Sequence, residues 1–160
     1  TYKVKNRSKY RGNSDNIVYR SMWERHVMKW CDEQSSVISW SSEEIVIPYY
    51  YDVDKRYHRY FVDFLIQYAD KTVLVEVKPK KETVVPVKKG KVSRQYVSES
   101  LTYVKNMNKW DAAESYAADR KWEFQIWTEE TLHELGIMKK GLKPLKPLKK
   151  LINKKKKPGK

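Results

Sequence analysis

Two apolar runs joined by a short polar turn constrain the fold of this chain more than any other feature. The runs cover residues 60–67 and 72–78, and residues 70–71 form the turn between them. Aromatic and β-branched residues interrupted by such a turn are typical of two antiparallel strands. We therefore predict a hairpin in which Ala69 pairs with Thr72.

Each predicted strand carries one acid inside an otherwise apolar run. Asp63 lies in the first strand, and Glu76 lies in the second, two residues before Lys78. Residues two apart in a strand share a face, and so do residues that oppose each other across a hairpin. With Asp63 opposite Lys78 and Leu65 opposite Glu76, the three charged side chains converge on one side of the sheet. The two acids are then diagonal neighbours, roughly 7–8 Å apart at the backbone.

These residue types suit metal-assisted cleavage of a phosphodiester. A carboxylate within an apolar strand is costly unless it is paired or bound to a metal. Two carboxylates can hold Mg²⁺ while leaving it several waters, and the ion lowers the pKa of a bound water. We therefore predict that Asp63 and Glu76 bind Mg²⁺, with Mn²⁺ as a substitute and no small-molecule cofactor. Lys78 is predicted to orient the attacking water or to stabilise the charge that develops.

The segment before the hairpin is predicted to contain one helix and one strand. Ser21 and Glu24 fit the capping box that starts a helix. Apolar residues at helical spacing then give that helix a buried face, which consists of Trp23, Val27, Trp30 and Cys31. The β-branched residues 45–47 predict a first strand that Pro48 ends.

The segment after the hairpin is predicted to contain three helices and one strand. One helix is expected over residues 93–105, and its inward residues are Val97, Leu101 and Val104. Asn106 and Asn108 are expected to break it before a second helix. Alternation over residues 122–127 predicts a strand, which a short helix follows. The predicted order is α-β-β-β-α-α-β-α, an α/β fold in which helices flank a mixed β-sheet.

Positive charge is concentrated at the two ends of the chain. The formal net charge is +14; residues 139–160 carry 11 lysines and no acid, and residues 1–11 carry 5 basic residues and no acid. We therefore divide the chain into a basic N-terminal arm over residues 1–16, a folded domain over residues 17–138 and a lysine-rich tail over residues 139–160. Basic arms on a nearly neutral body suit a nucleic acid, and a tail that only aids solubility is the alternative.

Other features of the composition bear on the compartment. Cys31 is the only cysteine, so no disulfide can form within the chain. No apolar run approaches the roughly 20 residues of a membrane span, and no signal-peptide pattern is visible. The expected setting is inside a cell or in a particle assembled there, without a membrane.

The acid–acid–lysine set resembles a known signature. Phe61-Val62-Asp63 and Glu76-Val77-Lys78 are similar to the D-x(n)-(D/E)-x-K motif of the restriction-endonuclease-like superfamily, with Val62 in place of the usual proline. A closer resemblance to the head-completion nucleases of T-even-like tailed phages covers most of residues 17–137. Those nucleases are similar to the endonuclease subunit of a cut-and-paste transposase. The segments that carry this resemblance are residues 19–25, 40–49, 58–64 and 76–79.

The resemblance implies a restriction-endonuclease-like fold and a nuclease that acts on ends of packaged DNA. It implies action in the host cytoplasm during virion assembly, with phage portal or neck proteins as candidate partners. It also brings Glu24 of the first helix into the active site, as a catalytic and metal-binding residue. Gln95 lies where related nucleases often place a polar helper.

Basic residues around this site are predicted to bind DNA. A loop just past the predicted catalytic strand would contact the phosphates that flank the cleaved bond. Its basic residues are Lys80, Lys81, Lys88, Lys89, Lys91 and Arg94. Arg20 and Arg59 are predicted to bind DNA in the same way.

Two other functions remain open at this stage. A structural protein with a degenerate nuclease fold could bind DNA ends or a phage portal through its basic arms. Asp63 could also be an edge charge that discourages aggregation, and the Glu-x-Lys strand could lie on a solvated sheet face. A transposase-type nuclease could carry out the same chemistry together with a partner subunit.

Overall fold

A computed structural model describes residues 1–139, which adopt a mixed α/β fold. There are three α-helices in this part of the chain: α1 (Met22–Glu33), α2 (Arg94–Asp119) and α3 (Glu129–Glu134). The strands are β1 (Val37–Ser42), β2 (Val46–Tyr51), β3 (Arg56–Phe61), β4 (Phe64–Tyr68), β5 (Thr72–Val77) and β6 (Glu123–Trp127). The lysine-rich tail is predicted over residues 139–160, and all of it after Lys139 lies outside the described residues.

Four strands form the central sheet, in the order β1-β4-β5-β6. β4 is antiparallel to β1 and β5, and β6 runs parallel to β5. The long helix α2 makes the crossover that a parallel pair requires. The mixed sheet flanked by helices confirms the predicted fold class.

A kink in a long hairpin separates the central sheet from a small second sheet of β2 and β3. On one arm the kink falls at Glu43, whose φ of +55° lies in the left-handed region. On the other arm it falls at residues 62–63, where Glu43 N–H donates to the carbonyl of Asp63. The predicted single strand over residues 60–67 is therefore wrong, because it crosses this kink.

The prediction that Pro48 ends the first strand is also wrong. Pro48 lies inside β2 and pairs with Arg59 of β3. A two-stranded sheet has only edge strands, and an edge strand tolerates a residue without an N–H donor. β1 was not predicted from the sequence, because its residues Val-Ile-Ser-Trp-Ser-Ser do not alternate regularly between apolar and polar.

The hairpin of β4 and β5 forms, but with a different register from the predicted one. Leu65 pairs with Leu74 and Gln67 pairs with Thr72, so the predicted Leu65–Glu76 and Asp63–Lys78 pairs are wrong. The connection is longer than predicted, and it is closed by a hydrogen bond from Tyr68 N–H to the carbonyl of Lys71. The register shift is two residues along β5, an even number, so each side chain keeps its predicted face.

Helix α1 begins as predicted, with Ser21 at its N-cap accepting from the N–H of Glu24. α2 differs, because one helix replaces the two predicted helices. Asn106 is buried within it, and the side chain of Asn108 bonds to Asp52 rather than to the helix backbone. Since Asn106 is packed in the interior and the Asn108 side chain bonds to Asp52, neither residue breaks α2.

The predicted inward face of α2 is only partly confirmed. Val97 and Leu101 are 45% and 42% exposed, whereas Val104 packs against the core. Apolar spacing in the first turns of α2 therefore does not lead to burial. The observed order is α-β-β-β-β-β-α-β-α.

Two apolar clusters cover the two faces of the sheet. Val73 and Val75 of β5 pack with α1, whereas Leu74 packs with Trp110 and Ala113 of α2. Glu76 follows Leu74 by two residues and therefore faces α2. No helix among residues 1–139 is long and apolar enough to cross a membrane.

The segment predicted as a basic arm, residues 1–16, packs against the folded body. Asp32 of α1 is fully buried and holds this segment in place. Its carboxylate accepts hydrogen bonds from the Tyr2 hydroxyl at 3.0 Å and from the backbone N–H groups of Lys5 and Asn6 at 2.7 and 3.0 Å.

Candidate active site

Asp63 lies at the kink, between β3 and β4. Its Oδ2 accepts a hydrogen bond of 2.8 Å from the backbone N–H of Val77 at the end of β5. This bond ties the kink to the residue that separates Glu76 from Lys78. The structure thus brings Asp63 next to the strand that carries Glu76 and Lys78, as the sequence predicts. The contact that does so, the hydrogen bond from Val77 N–H, is not part of the predicted register.

Glu76 is buried, with two partners on the same side of the sheet. Its Oε2 accepts a hydrogen bond of 2.5 Å from the Tyr60 hydroxyl. Its Oε1 lies 3.4 Å from Nζ of Lys78, whose side chain is 24% exposed. The carboxylate is thereby fixed in orientation, and the lysine can still reach a ligand from solvent.

Burial and mutual repulsion favour the protonated forms of the two acids. The pKa of Asp63 is raised well above its ordinary value, first by desolvation and then by the negative charge of Glu76. Desolvation also raises the pKa of Glu76, although the Tyr60 hydrogen bond and the Lys78 charge act in the opposite direction. Two carboxylates that are unfavourable in their charged forms are suited to receive a positively charged ligand.

Glu24 performs the capping role that the sequence predicts. Its carboxylate bonds to the Ser21 hydroxyl at 3.1 Å and to the backbone N–H of Arg20 at 2.9 Å. Its charge is also close enough to contribute to the raised pKa of Asp63. The Glu24 carboxylate is thus held at the start of α1, and its charge acts on Asp63 of the acid pair, which consists of Asp63 and Glu76.

The acid pair fits a divalent cation. Within residues 1–139, no three His, Cys, Asp or Glu side chains form a ready cluster of metal ligands. Mg²⁺ takes one or two carboxylates together with water and phosphate oxygens, which matches Asp63 and Glu76.

Two residues of the site were missed by sequence reasoning. Tyr60 was assigned only to a strand, although its hydroxyl holds Glu76. Lys109 of α2 lies with Nζ 5.3 Å from the centroid of the Tyr60 ring. Desolvation lowers the pKa of Lys109, and the negative charge of Glu76 partly offsets this effect. No local sequence signal marks either residue, because both contacts join elements distant in sequence.

Arg20 and Arg59 border a cleft of about 610 Å³ together with Tyr60 and Lys109. Arg20 forms an ion pair with Glu43, and the Arg59 guanidinium lies 5.7 Å from the centroid of the Phe61 ring. The structure therefore brings these two predicted DNA-binding residues to one cleft, which Tyr60, the hydrogen-bond partner of Glu76, also lines.

The predicted basic loop is exposed, but its members differ in their contacts. Lys80 pairs with Glu130 of α3 at 2.6 Å, and its backbone N–H bonds to Glu129. Gln95 bonds along α2 to Glu99 at 2.9 Å, so it does not reach the acid pair in this structure. The exposed basic residues past β5 are Lys80, Lys81, Lys88, Lys89, Lys91 and Arg94.

Comparison with known proteins identifies the family. A model described as the TnsA-like endonuclease N-terminal domain matches residues 34–129, which include Asp63, Glu76 and Lys78. The chain belongs to the TnsA-like endonuclease family. It is also 39% identical over 138 residues to the head completion nuclease of Enterobacteria phage T4, which covers 83% of this chain and 92% of that protein. No solved structure gives a significant match.

These matches support a nuclease role and confirm the resemblances to head-completion nucleases and to the endonuclease subunit of a transposase. The matched range contains β1 to β6 and all of α2, so it includes the elements that position the acid pair. Glu24 lies outside that range, and its role in catalysis stays a prediction. The residues named for the site likewise rest on geometry and on the signature.

Proposed function

We propose that this TnsA-like endonuclease is a Mg²⁺-dependent nuclease that hydrolyses DNA, with Asp63, Glu76 and Lys78 in its active site. The observation that carries the proposal is the contact set around Glu76. Its carboxylate lies 3.4 Å from Nζ of Lys78, and the N–H of Val77 between them holds Asp63 at 2.8 Å. Phosphodiester hydrolysis needs this combination of negative ligands and a cation at one point.

Each residue has a role that follows from its contacts. Asp63 and Glu76 would hold the ion, which when bound supplies a water of lowered pKa and neutralises phosphate charge. Lys78 donates from its ammonium group to a phosphate oxygen on which negative charge develops. Tyr60 keeps Glu76 oriented by donating to Oε2, and so leaves Oε1 on the side of Lys78.

The similarity to the head completion nuclease of phage T4 supports a role in virion assembly. We propose that the protein processes ends of packaged DNA during head completion in the host cytoplasm. A transposase-type nuclease with a partner subunit would use the same residues, so only substrate choice separates the two functions.

A cleavage assay with a near-isosteric variant tests this function. Wild type and Glu76→Gln are incubated with linear duplexes that carry blunt, overhanging or flapped ends, with Mg²⁺ or with EDTA. We expect cleavage by the wild type with Mg²⁺ alone, and a loss of at least about 100-fold in Glu76→Gln, because transition-state stabilisation is removed. The end that is cut fastest defines the substrate.

Glu114→Gln is the matched control, because Glu114 is an exposed acid on α2. It should cleave like the wild type. Full activity of a folded Glu76→Gln variant would refute the proposed active site. A wild type that binds duplex DNA and cuts none of these ends would instead favour the structural DNA-binding protein.

A further inference from the structure

Lys109 lies on the face of α2 that covers the Glu76 side of β5. Its neighbour Trp110 packs with Leu74 of β5 in one apolar cluster. The ammonium nitrogen of Lys109 lies 5.3 Å from the ring centroid of Tyr60 and 5.9 Å from that of Tyr49. Lys109 therefore lies against the ring of Tyr60, the residue whose hydroxyl is bonded to Glu76 of the acid pair.

The ammonium group of Lys109 is half-buried against aromatic rings. It forms no salt bridge with any side chain in residues 1–139. A lysine has three N–H donors, and the faces of two tyrosine rings supply attraction without accepting all of them. The Lys109 ammonium group therefore has N–H donors available to a negatively charged ligand.

The cleft beside Lys109 carries more cations than unpaired acids. Its charged lining residues are Arg20, Arg59, Lys109, Glu43 and Glu44. Glu43 is paired with Arg20, and Glu44 accepts a hydrogen bond from the backbone N–H of Asn13 at 3.1 Å. The three cations outnumber the two acids, and neither Arg59 of the small sheet nor Lys109 of α2 forms a salt bridge within residues 1–139, so both can attract an anion.

We propose that Lys109 binds a backbone phosphate of the DNA strand in this cleft, next to the phosphate that is cleaved. This inference rests on the proposed nuclease function and adds a substrate contact to it. The ammonium borders a cleft that Tyr60 also lines, and the Tyr60 hydroxyl is bonded to Glu76. A phosphate supplies the full negative charge that the neighbouring rings lack.

The salt dependence of DNA binding tests the contact. Binding of a short linear duplex is measured in EDTA over a range of salt concentrations, for wild type, Lys109→Met and Lys109→Arg. Each phosphate contact contributes roughly 0.9 to the slope of log K against log salt. We expect Lys109→Met to lose about one such unit and to bind about eightfold more weakly at 0.1 M salt, whereas Lys109→Arg keeps the slope.

Lys71→Met is the matched control. Lys71 also lies over a tyrosine ring, 5.9 Å from the centroid of Tyr68, but at the opposite end of β4 and β5. Its removal lowers the net charge equally and should leave the slope unchanged. A merely structural effect of Lys109→Met would lower the amount of folded protein, which shifts all affinities together and does not alter the slope.

Two outcomes would overturn the inference. An unchanged slope in Lys109→Met would show that Lys109 touches no phosphate. A slower cleavage step with unchanged affinity and slope would mean that Lys109 only balances the charge of the two acids. The proposed function fails separately, if the wild type binds the duplex but does not cut it with Mg²⁺.

Discussion

The carboxylate of Asp63 accepts a hydrogen bond of 2.8 Å from the backbone N–H of Val77. Asp63 lies at a kink, outside the regular pairing of β4 and β5, so the strand ladder alone does not fix its distance from Glu76. The hydrogen bond replaces the missing ladder contact and leaves the other carboxylate oxygen of Asp63 for a ligand. The geometry of the acid pair thus depends on a break in the strand.

Asp63→Asn is expected to stabilise the protein when divalent cations are absent. Burial and the charge of Glu76 make the Asp63 carboxylate unfavourable, whereas an amide oxygen can still accept from Val77 N–H. A gain on the order of 1 kcal/mol would raise Tm by roughly 2–6 °C. Thermal unfolding in EDTA checks this, and the variant should show no cleavage. A lower Tm would contradict the assigned charge repulsion.

The stabilising effect of Asp63→Asn should grow as the pH rises. The pKa of Asp63 is raised in the folded protein, so the folded state binds the proton more tightly than the unfolded state. The wild type therefore loses stability as the pH rises from the ordinary carboxyl range through the raised folded pKa. Thermal unfolding of both proteins in EDTA from pH 4 to 8 measures the difference. A difference that shrinks with rising pH would be inconsistent with the raised pKa.

Added Mg²⁺ should stabilise the wild type and leave the double variant Asp63→Asn, Glu76→Gln unaffected. A ligand that binds only the folded state raises stability by about 2.7 kcal/mol at 100 times its Kd. Titration calorimetry and thermal unfolding at a fixed pH measure both effects. Equal shifts in the two proteins would place the ion elsewhere.

Tyr60→Phe should move the acid limb of the pH–rate profile to higher pH. The Tyr60 hydroxyl favours the charged form of Glu76, so its removal raises the pKa of Glu76 further. Cleavage should therefore be lost most at low pH and recover in part as the pH rises. Tyr57→Phe is the control, because Tyr57 is 75% exposed on β3. A uniform loss at all pH values would assign Tyr60 a purely structural role.

Asp32→Ala should destabilise the protein by about 3 kcal/mol. The change leaves three donors of the N-terminal segment without their acceptor, and an unpaired buried donor costs roughly 1–3 kcal/mol. Those donors belong to Tyr2, Lys5 and Asn6. Denaturant unfolding gives the loss, and limited proteolysis should show earlier cleavage within residues 1–16. Unchanged stability would mean that this segment contributes little to the fold.

Much of the site was accessible from the sequence, because strand alternation is a local property. Residues two apart share a face whatever the register, so Glu76 and Lys78 were placed together correctly. Asp63 was expected beside the Glu-x-Lys strand through a pairing that does not form, and a hydrogen bond from Val77 N–H brings it there instead. The N-cap role of Ser21 was also predicted correctly, since a helix cap needs only neighbours in the chain.

The tertiary structure decided the rest. The kink at Asp63, the continuity of α2 through Asn108 and the placement of Tyr60 and Lys109 all depend on contacts between elements far apart in sequence. The sequence by itself determined which acids and which lysine share a face. Only packing determined how deeply they are buried and which partners hold them, because burial and charge repulsion arise once distant segments exclude water from the same place.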